Sequence, residues 1–294
     1  MRTSIVLTLA AVTATAVPAA QAEEKSAWSL SRNLSFVSDY YARGISQSWH
    51  KPAVQAGLDV THDSGFYAGL WGSSISPQTY VDSTTEIDIY AGYNGSFSNI
   101  EKLGWSAGLT GYLYPGGNWD KCKACTRSDG VSAVSSQRFD TYEANAALSY
   151  DWISAKASVT LTDWFGANRS TGFDSGTNGT TYLEVNASYP LPFYDLMLIA
   201  HVGRLNVAGR VTPGAYGTYN AGRGDPDNTD YKIGLSKKLA FANIEGMNLG
   251  IYYVGADDTG YWSSRGFGGS SFNGGSTSKD LTDNRWVITL SSAF

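Results

Sequence analysis

Residues 84–114 read TTEIDIYAGYNGSFSNIEKLGWSAGLTGYLY, two strand-like segments, 84–97 and 103–114, joined by the short connection 98–102. In the first segment Ile87, Ile89, Ala91 and Tyr93 share one face and Glu86, Asp88 and Tyr90 the other, because successive side chains on a strand point oppositely. A strand that is apolar on one side and acidic on the other borders two different media. The same pattern returns in 154–165, where Ala155, Ala157, Val159 and Leu161 oppose Lys156, Ser158, Thr160 and Thr162. It returns again at the end of the chain, where Trp286, Ile288, Leu290 and Phe294 oppose Arg285, Thr289 and Ser291.

Extended along the chain, the pattern gives twelve strands: 28–39, 53–62, 66–74, 84–97, 103–114, 139–150, 154–165, 179–189, 195–205, 229–241, 247–257 and 283–294. Connections around 63–65, 98–102, 151–153, 190–194 and 242–246 are short. Those at 40–52, 75–83, 115–138, 166–178, 206–228 and 258–282 are long and rich in Gly, Ser, Asn and Asp. Short and long alternate throughout, and an even strand count puts both ends of the chain on the short-turn side. The predicted class is all-β: a transmembrane antiparallel up-and-down β-barrel with short periplasmic turns and long extracellular loops. A closed barrel is one of only two ways to cross lipid with every backbone N–H and C=O paired. Lys or Arg facing mid-bilayer lipid costs about 2–4 kcal/mol, so the charged faces are expected to point inward.

A soluble barrel would invert these faces. Aromatic residues near the strand ends argue against it: Trp28, Trp105, Tyr150, Trp152, Tyr189, Phe193 and Phe294 at the short-turn end, and Tyr40, Tyr41, Tyr112, Tyr114, Trp164, Phe165 and Trp286 towards the loops. Such rings suit the two membrane interfaces. A strand closing on Phe294 resembles the signal by which the barrel assembly machinery takes up outer-membrane barrels.

The first 22 residues carry Arg2, an apolar run from Ile5 to Val17 and the small residues Ala20-Gln21-Ala22, the makings of a cleaved secretory signal before a single barrel domain over 23–294. The run is too short for a spanning helix, which needs roughly 20 residues. Without Arg2 the chain has 20 basic against 26 acidic residues, and nothing in that balance suggests nucleic acid. Thirty-three glycines, nineteen tyrosines and nine tryptophans fit a β-rich protein with aromatic belts. Cys122 and Cys125 are the only cysteines, and export favours a local loop disulfide; a metal or redox role would want further His or Cys ligands or a helix N-terminus.

Between Asn33 and Ile75 stand Ser38-Asp39-Tyr40, Arg43-Gly44-Ile45-Ser46-Gln47, Lys51-Pro52-Ala53-Val54-Gln55, Gly57-Leu58-Asp59 and Gly65-Phe66-Tyr67-Ala68-Gly69 with Trp71-Gly72-Ser73. This resembles the opening signature of the TorF family of porin-like proteins, also known as the Gcw_chp family of unknown function. The signature covers about the first sixth of the mature chain; beyond it the likeness is one of architecture and of the closing Phe294. It implies a proteobacterial outer-membrane barrel, located in the Gram-negative cell outer membrane.

Alternation nominates Asp59, Glu86, Asp88, Glu143, Glu184, Lys156, Lys232 and Arg285 as lumen-lining residues. Twelve strands lie between eight-stranded barrels, filled by side chains, and sixteen-stranded porins with open channels, so the lumen is expected to be narrow. The charges either tune a pore for small hydrophilic solutes or plug it as an internal salt-bridge network with a surface-binding or envelope-structural role. Arg43, beside Gly44, either lines a constriction or pairs with Asp39 at the rim. Basic residues on the loop side, Arg43, Lys51, Lys121, Lys123, Arg127, Arg138, Arg169, Arg204, Arg210, Arg223, Arg265 and Lys279, suit lipopolysaccharide phosphates or a plain solvated surface. Asp225-Pro226-Asp227-Asn228-Thr229-Asp230 has oxygen ligands but lacks the Gly and Glu of an EF-hand loop, so no metal is expected. The Gly- and Ser-rich run 266–275 reads as a loop. His50, His62 and His201 are the only histidines; His50 and His62 fall at opposite ends and His201 mid-strand without a Gly-x-Ser-x-Gly, so no enzyme and no cofactor is expected.

Overall fold

The computed structural model describes residues 26–123, 125–212, 225–241, 244–257, 260–263, 268–269 and 277–294. The leader, most of the run 266–275, and Arg223 and Arg265 lie outside them. The strands are β1 Trp28–Val37, β2 Tyr41–Ala42, β3 Ile45–Ser46, β4 Ala53–His62, β5 Phe66–Ser74, β6 Thr85–Ser96 and β7 Leu103–Leu113. They continue as β8 Thr141–Tyr150, β9 Ile153–Thr160, β10 Thr181–Pro190, β11 Leu196–Asn206, β12 Asn228–Phe241, β13 Ile244–Ala256 and β14 Arg285–Ala293. Twelve of them close into an antiparallel barrel in sequence order, β1 bonding to β4 on one side and β14 on the other; β2 and β3 form a separate hairpin. Phe294 completes the seam, its N–H and C=O exchanging hydrogen bonds with the backbone of Arg32 at 3.0 Å each.

The twelve wall strands coincide with those read from alternation, give or take a few residues. The largest difference is at β9, which stops at Thr160 rather than Phe165. There the chain leaves the wall, and a single 3-10 turn at Trp164–Gly166, with Phe165 at φ 46°, carries Trp164 inward.

Apolar side chains point out. Leu30, Val54, Leu70, Ile89, Leu109, Leu148, Val159, Leu183, Val202, Ile233, Ile251 and Ile288 are exposed, one on each wall strand in turn. An apolar band running round a whole barrel is far larger than the patches monomeric soluble proteins expose, and it is what lipid covers. At the turn end Trp28, Trp105, Tyr150, Trp152, Tyr189, Phe193 and Phe294 are exposed as a belt.

The loop-end belt is different from the one expected. Of its seven residues Trp286 faces outward, whereas Tyr114, Trp164, Tyr40, Tyr112 and Phe165 pack in or against a hydrophobic core built by the long loops, and Tyr41 lines the lumen with its hydroxyl donating to the Asp283 carbonyl at 2.7 Å. That core stacks Tyr80 on Tyr114 with ring centroids 4.2 Å apart and sets Trp119 against Phe139 at 5.2 Å and Trp164 against Trp262 at 6.1 Å. Two of its buried indoles have partners: Trp119 Nε1 donates to the Phe165 carbonyl at 2.8 Å and Trp262 Nε1 to that of Pro226 at 2.9 Å, whereas Trp164 Nε1 is buried without one among the described residues. Cys122 and Cys125 form a disulfide with Cα atoms 5.4 Å apart, both cysteines buried in this core. Gly, Ser and Asp supply the loops' turns, and the spaced aromatics fold them into a lid over the barrel.

Candidate functional site

The connection from β1 to β4 folds into the barrel instead of standing over it. Its β2–β3 hairpin turns at Arg43 and Gly44, both at positive φ (50° and 74°), the backbone that a tight two-residue hairpin demands. The tip presses on the wall: a Cβ on Gly44 would lie 2.4 Å from Asp230 Cβ and 2.7 Å from Ala256 Cβ, so only glycine fits. The Arg43 carbonyl accepts from Asn228 Nδ2 at 3.2 Å. From there the Arg43 side chain runs to β8, where Nη1 and Nη2 donate to Glu143 Oε1 and Oε2 at 2.8 and 2.6 Å. Its guanidinium lies 4.6 Å from the centre of the Tyr182 ring and 5.9 Å from that of Tyr112. Burial opposes the charge, but Glu143 more than offsets this and holds the guanidinium above its ordinary value.

Asp39 fastens the hairpin's base. One carboxylate oxygen accepts from Ser46 Oγ at 2.7 Å and Ser48 Oγ at 2.9 Å, while the other lies 2.7 Å from His50 Nδ1. His50 Nε2 is 2.6 Å from the carbonyl of Asp280, a contact that ties the hairpin to the last long loop. The pairing of Arg43 with Asp39 is therefore not made: Asp39 is taken up locally, and Arg43 also leaves the set of loop-surface cations.

Two cavities result. Above Arg43 lies an apolar one of about 130 Å³ walled by rings of the loop core, with Arg43 and Glu86 among its lining residues. Below the hairpin lies a polar chamber of about 390 Å³. Tyr40 and Tyr112 line both, and the lower chamber reaches down to Ser188, Ser236, Asn248 and Ser291, near the short turns.

The nominated charges divide among these levels. Asp88, Lys156 and Lys232 line the lower chamber. Asp59, on the inward face of β4, accepts from Tyr90 OH. Glu86 is 3% exposed and accepts from Tyr114 OH at 2.7 Å, which puts it in the layer joining wall to lid. Glu184 is ion-paired with Lys156 and accepts from Asn186 Nδ2 at 3.0 Å. Arg285 shares the inward parity but opens β14, so it sits exposed at the rim, 3.2 Å from Asp283.

The sequence reading missed a second network. His201 Nε2 lies 2.8 Å from Asp230 Oδ1, His201 Nδ1 lies 2.7 Å from Asn186 Oδ1, and Tyr182 OH donates to Asp230 Oδ2 at 2.9 Å. The inward parity of Tyr182 and Asn186 with Glu184, and of Asp230 with Lys232, was the signal that could have found it. The segment 225–230 spends its carboxylates on partners: Asp225 and Asp227 meet Arg210 at 3.2 and 3.0 Å, while Asp230 turns into the lumen. Among the described residues no group of His, Cys, Asp and Glu is disposed to hold a metal ion.

A family model described as a bacterial protein of unknown function, Gcw_chp, matches residues 21–294. The chain belongs to the Gcw_chp family. Nothing among curated proteins matches this Gcw_chp member. Among solved structures it is similar to the KdgM porin, in complex with a disordered oligogalacturonate, at 7% identity and a TM-score of 0.45, covering 90% of this chain and 98% of that one. The NanC porin is similar at 10% identity and a TM-score of 0.44, with the same coverage, 90% and 98%. OprD of Pseudomonas aeruginosa follows at 10% identity and a TM-score of 0.36, covering 92% and 68%. The closed strand pairing of the Gcw_chp chain stands independently of these distant barrels.

Proposed function

We propose that this protein is an outer-membrane porin, a narrow channel for small hydrophilic solutes, and that the conformation described is its closed state. The observation that carries the reading is the 390 Å³ polar chamber, which extends almost to the short turns and ends under one hairpin. Nothing covalent holds that hairpin in the lumen; a salt bridge, a few hydrogen bonds and ring contacts do. In this reading the leader at residues 1–22 directs export and is removed, leaving a single barrel domain over 23–294 that assembles through its Phe294-ended strand. The short turns then face the periplasm, and the loop-surface cations meet lipopolysaccharide. Transport of this kind requires no catalytic residue and no cofactor.

The loop core favours a second reading, a permanently plugged barrel with a surface-binding or structural role, because an apolar lid with a disulfide resembles a folded cap more than a mobile gate. Single-channel recording separates the two. Wild-type protein and a variant in which residues 41–46 are replaced by a short Gly-Ser link are inserted in planar bilayers. Discrete steps in the wild type, longer-lived in the variant, support the channel. Silence in both, with insertion verified, establishes the plug.

A further inference from the structure

The lower chamber carries two charged groups that the wall leaves without ionic partners. Lys156 is matched by Glu184, Arg43 by Glu143, and Asp230 by His201 and Tyr182. Lys232 forms no ion pair among the described residues; its ammonium lies 5.6 Å from the centre of the Tyr252 ring. Asp88 likewise forms none, and its Oδ1 is buried with no hydrogen-bond partner. Both line the same cavity.

Their placement prevents them from satisfying each other. In the order β6, β7, β8, β9, β10, β11, β12 the two strands stand half a turn apart in a twelve-strand ring, so Asp88 and Lys232 face each other across the lumen. They sit at similar height, Asp88 near the loop end of β6 at Thr85 and Lys232 near that of β12 at Asn228. Aromatic rings frame the acidic side: Trp71 on β5, Tyr90 on β6 and Tyr112 on β7 line the cavity with Asp88, and Tyr40 packs on Trp71 at 5.6 Å. A carboxylate among ring faces suits an organic ammonium, which gains from both the charge and the ring quadrupoles. Facing it, a lysine with no carboxylate bonded to it suits an anionic oxygen. Neither group is bonded directly to a counter-charge among the described residues, and a solute with both signs would supply one at both walls together.

We propose that the lower chamber is a binding site for small zwitterions, taking an ammonium at Asp88 among Trp71, Tyr90 and Tyr112 and a carboxylate at Lys232. This names the solute class of the channel reading and rests on it only for the transport step, since binding to a closed barrel needs access from the short-turn side alone.

Calorimetric titration of the detergent-purified barrel therefore tests it without requiring conduction. The probes are 6-aminohexanoate and its single-charge analogues 6-hydroxyhexanoate and 6-amino-1-hexanol. The zwitterion is expected to bind at least tenfold more tightly than either analogue, and Asp88→Asn and Lys232→Gln each to remove at least tenfold of that affinity. Both substitutions keep size and polarity, and heat-modifiable migration on gels confirms the barrel. Equal affinity for 6-amino-1-hexanol would reduce the site to a cation site, and equal affinity for 6-hydroxyhexanoate to an anion site; either overturns the two-ended assignment. Absence of binding by all three probes overturns it too, and leaves the channel reading to the bilayer recordings.

Discussion

Replacing Arg43 by Ala should unlatch the hairpin, and the size of the effect follows from the contacts. The substitution removes a bidentate ion pair at 2.8 and 2.6 Å and two ring contacts, and leaves Glu143, with 3% of its side chain exposed, without a cation. Removing one member of a buried pair costs roughly 3–5 kcal/mol. The Arg43 side chain is 18% exposed and a polar chamber lies below it, so the lower end of that range applies. When the hairpin withdraws, Arg43 and Glu143 are hydrated separately, so the cost falls on the closed state alone. About 3 kcal/mol corresponds to roughly a hundredfold change in the closed-to-open ratio. The assay is open probability in planar bilayers at one fixed voltage, for wild type, Arg43→Ala, Glu143→Gln and the double variant. Each single variant should raise open probability by about two orders of magnitude. The double variant should fall well short of the product, because the two residues act through one contact. If all four proteins gate alike, or if the single effects simply multiply, the latch assigned to this pair does not exist.

Gly44→Ala acts on the same hairpin through sterics: its Cβ would overlap Asp230 and Ala256, so the tip should be displaced and openings lengthened while heat-modifiable migration stays that of wild type. His50→Gln should loosen the hairpin's base, where Asp39 is 6% exposed, by roughly 1–3 kcal/mol; amide exchange at Gln47, whose N–H donates to the Tyr40 carbonyl at 2.7 Å, should then be at least several times faster, and an unchanged rate would refute the clamp. Asp129 accepts from the Ser132 hydroxyl and from the Val131 and Ser132 amides, which lower its carboxyl to about 2 from an ordinary 3.8. Its folded value is depressed, so the local stabilisation is complete above pH 4 and is lost as pH falls through about 2. Amide exchange at Val131 and Ser132 should rise in that window, relative to an Asp129→Asn variant that lacks the transition.

The barrel was legible because lipid and lumen impose opposite demands on adjacent residues, and Ile87, Asp88, Ile89 record both in three letters. Parity also turned Glu143, Lys156 and Lys232 inward. The plug was not legible in this way. Arg43 and Glu143 are 100 residues apart, and nothing local at either position says that the first loop folds down rather than up. Only the Arg-Gly turn hinted at a hairpin. Tyr112 and Tyr114 misled for a physical reason: an aromatic at a strand end fits an interfacial belt and a lid core equally well, and only the fold of the neighbouring loops distinguishes them. Arg285 shows the limit of parity itself, which gives a direction but not a depth.

The Arg43 contact has a consequence for biogenesis. Its pieces come from β7, β8 and β10, with the hairpin's tip resting on β12 and β13, so only a sheet that already runs from β7 to β13 contains the whole receptor. The latch can set only after β13 has joined the sheet. A newly folded molecule thus passes through an unlatched interval whose length is the time the first loop takes to find a socket spread from Tyr112 to Ala256.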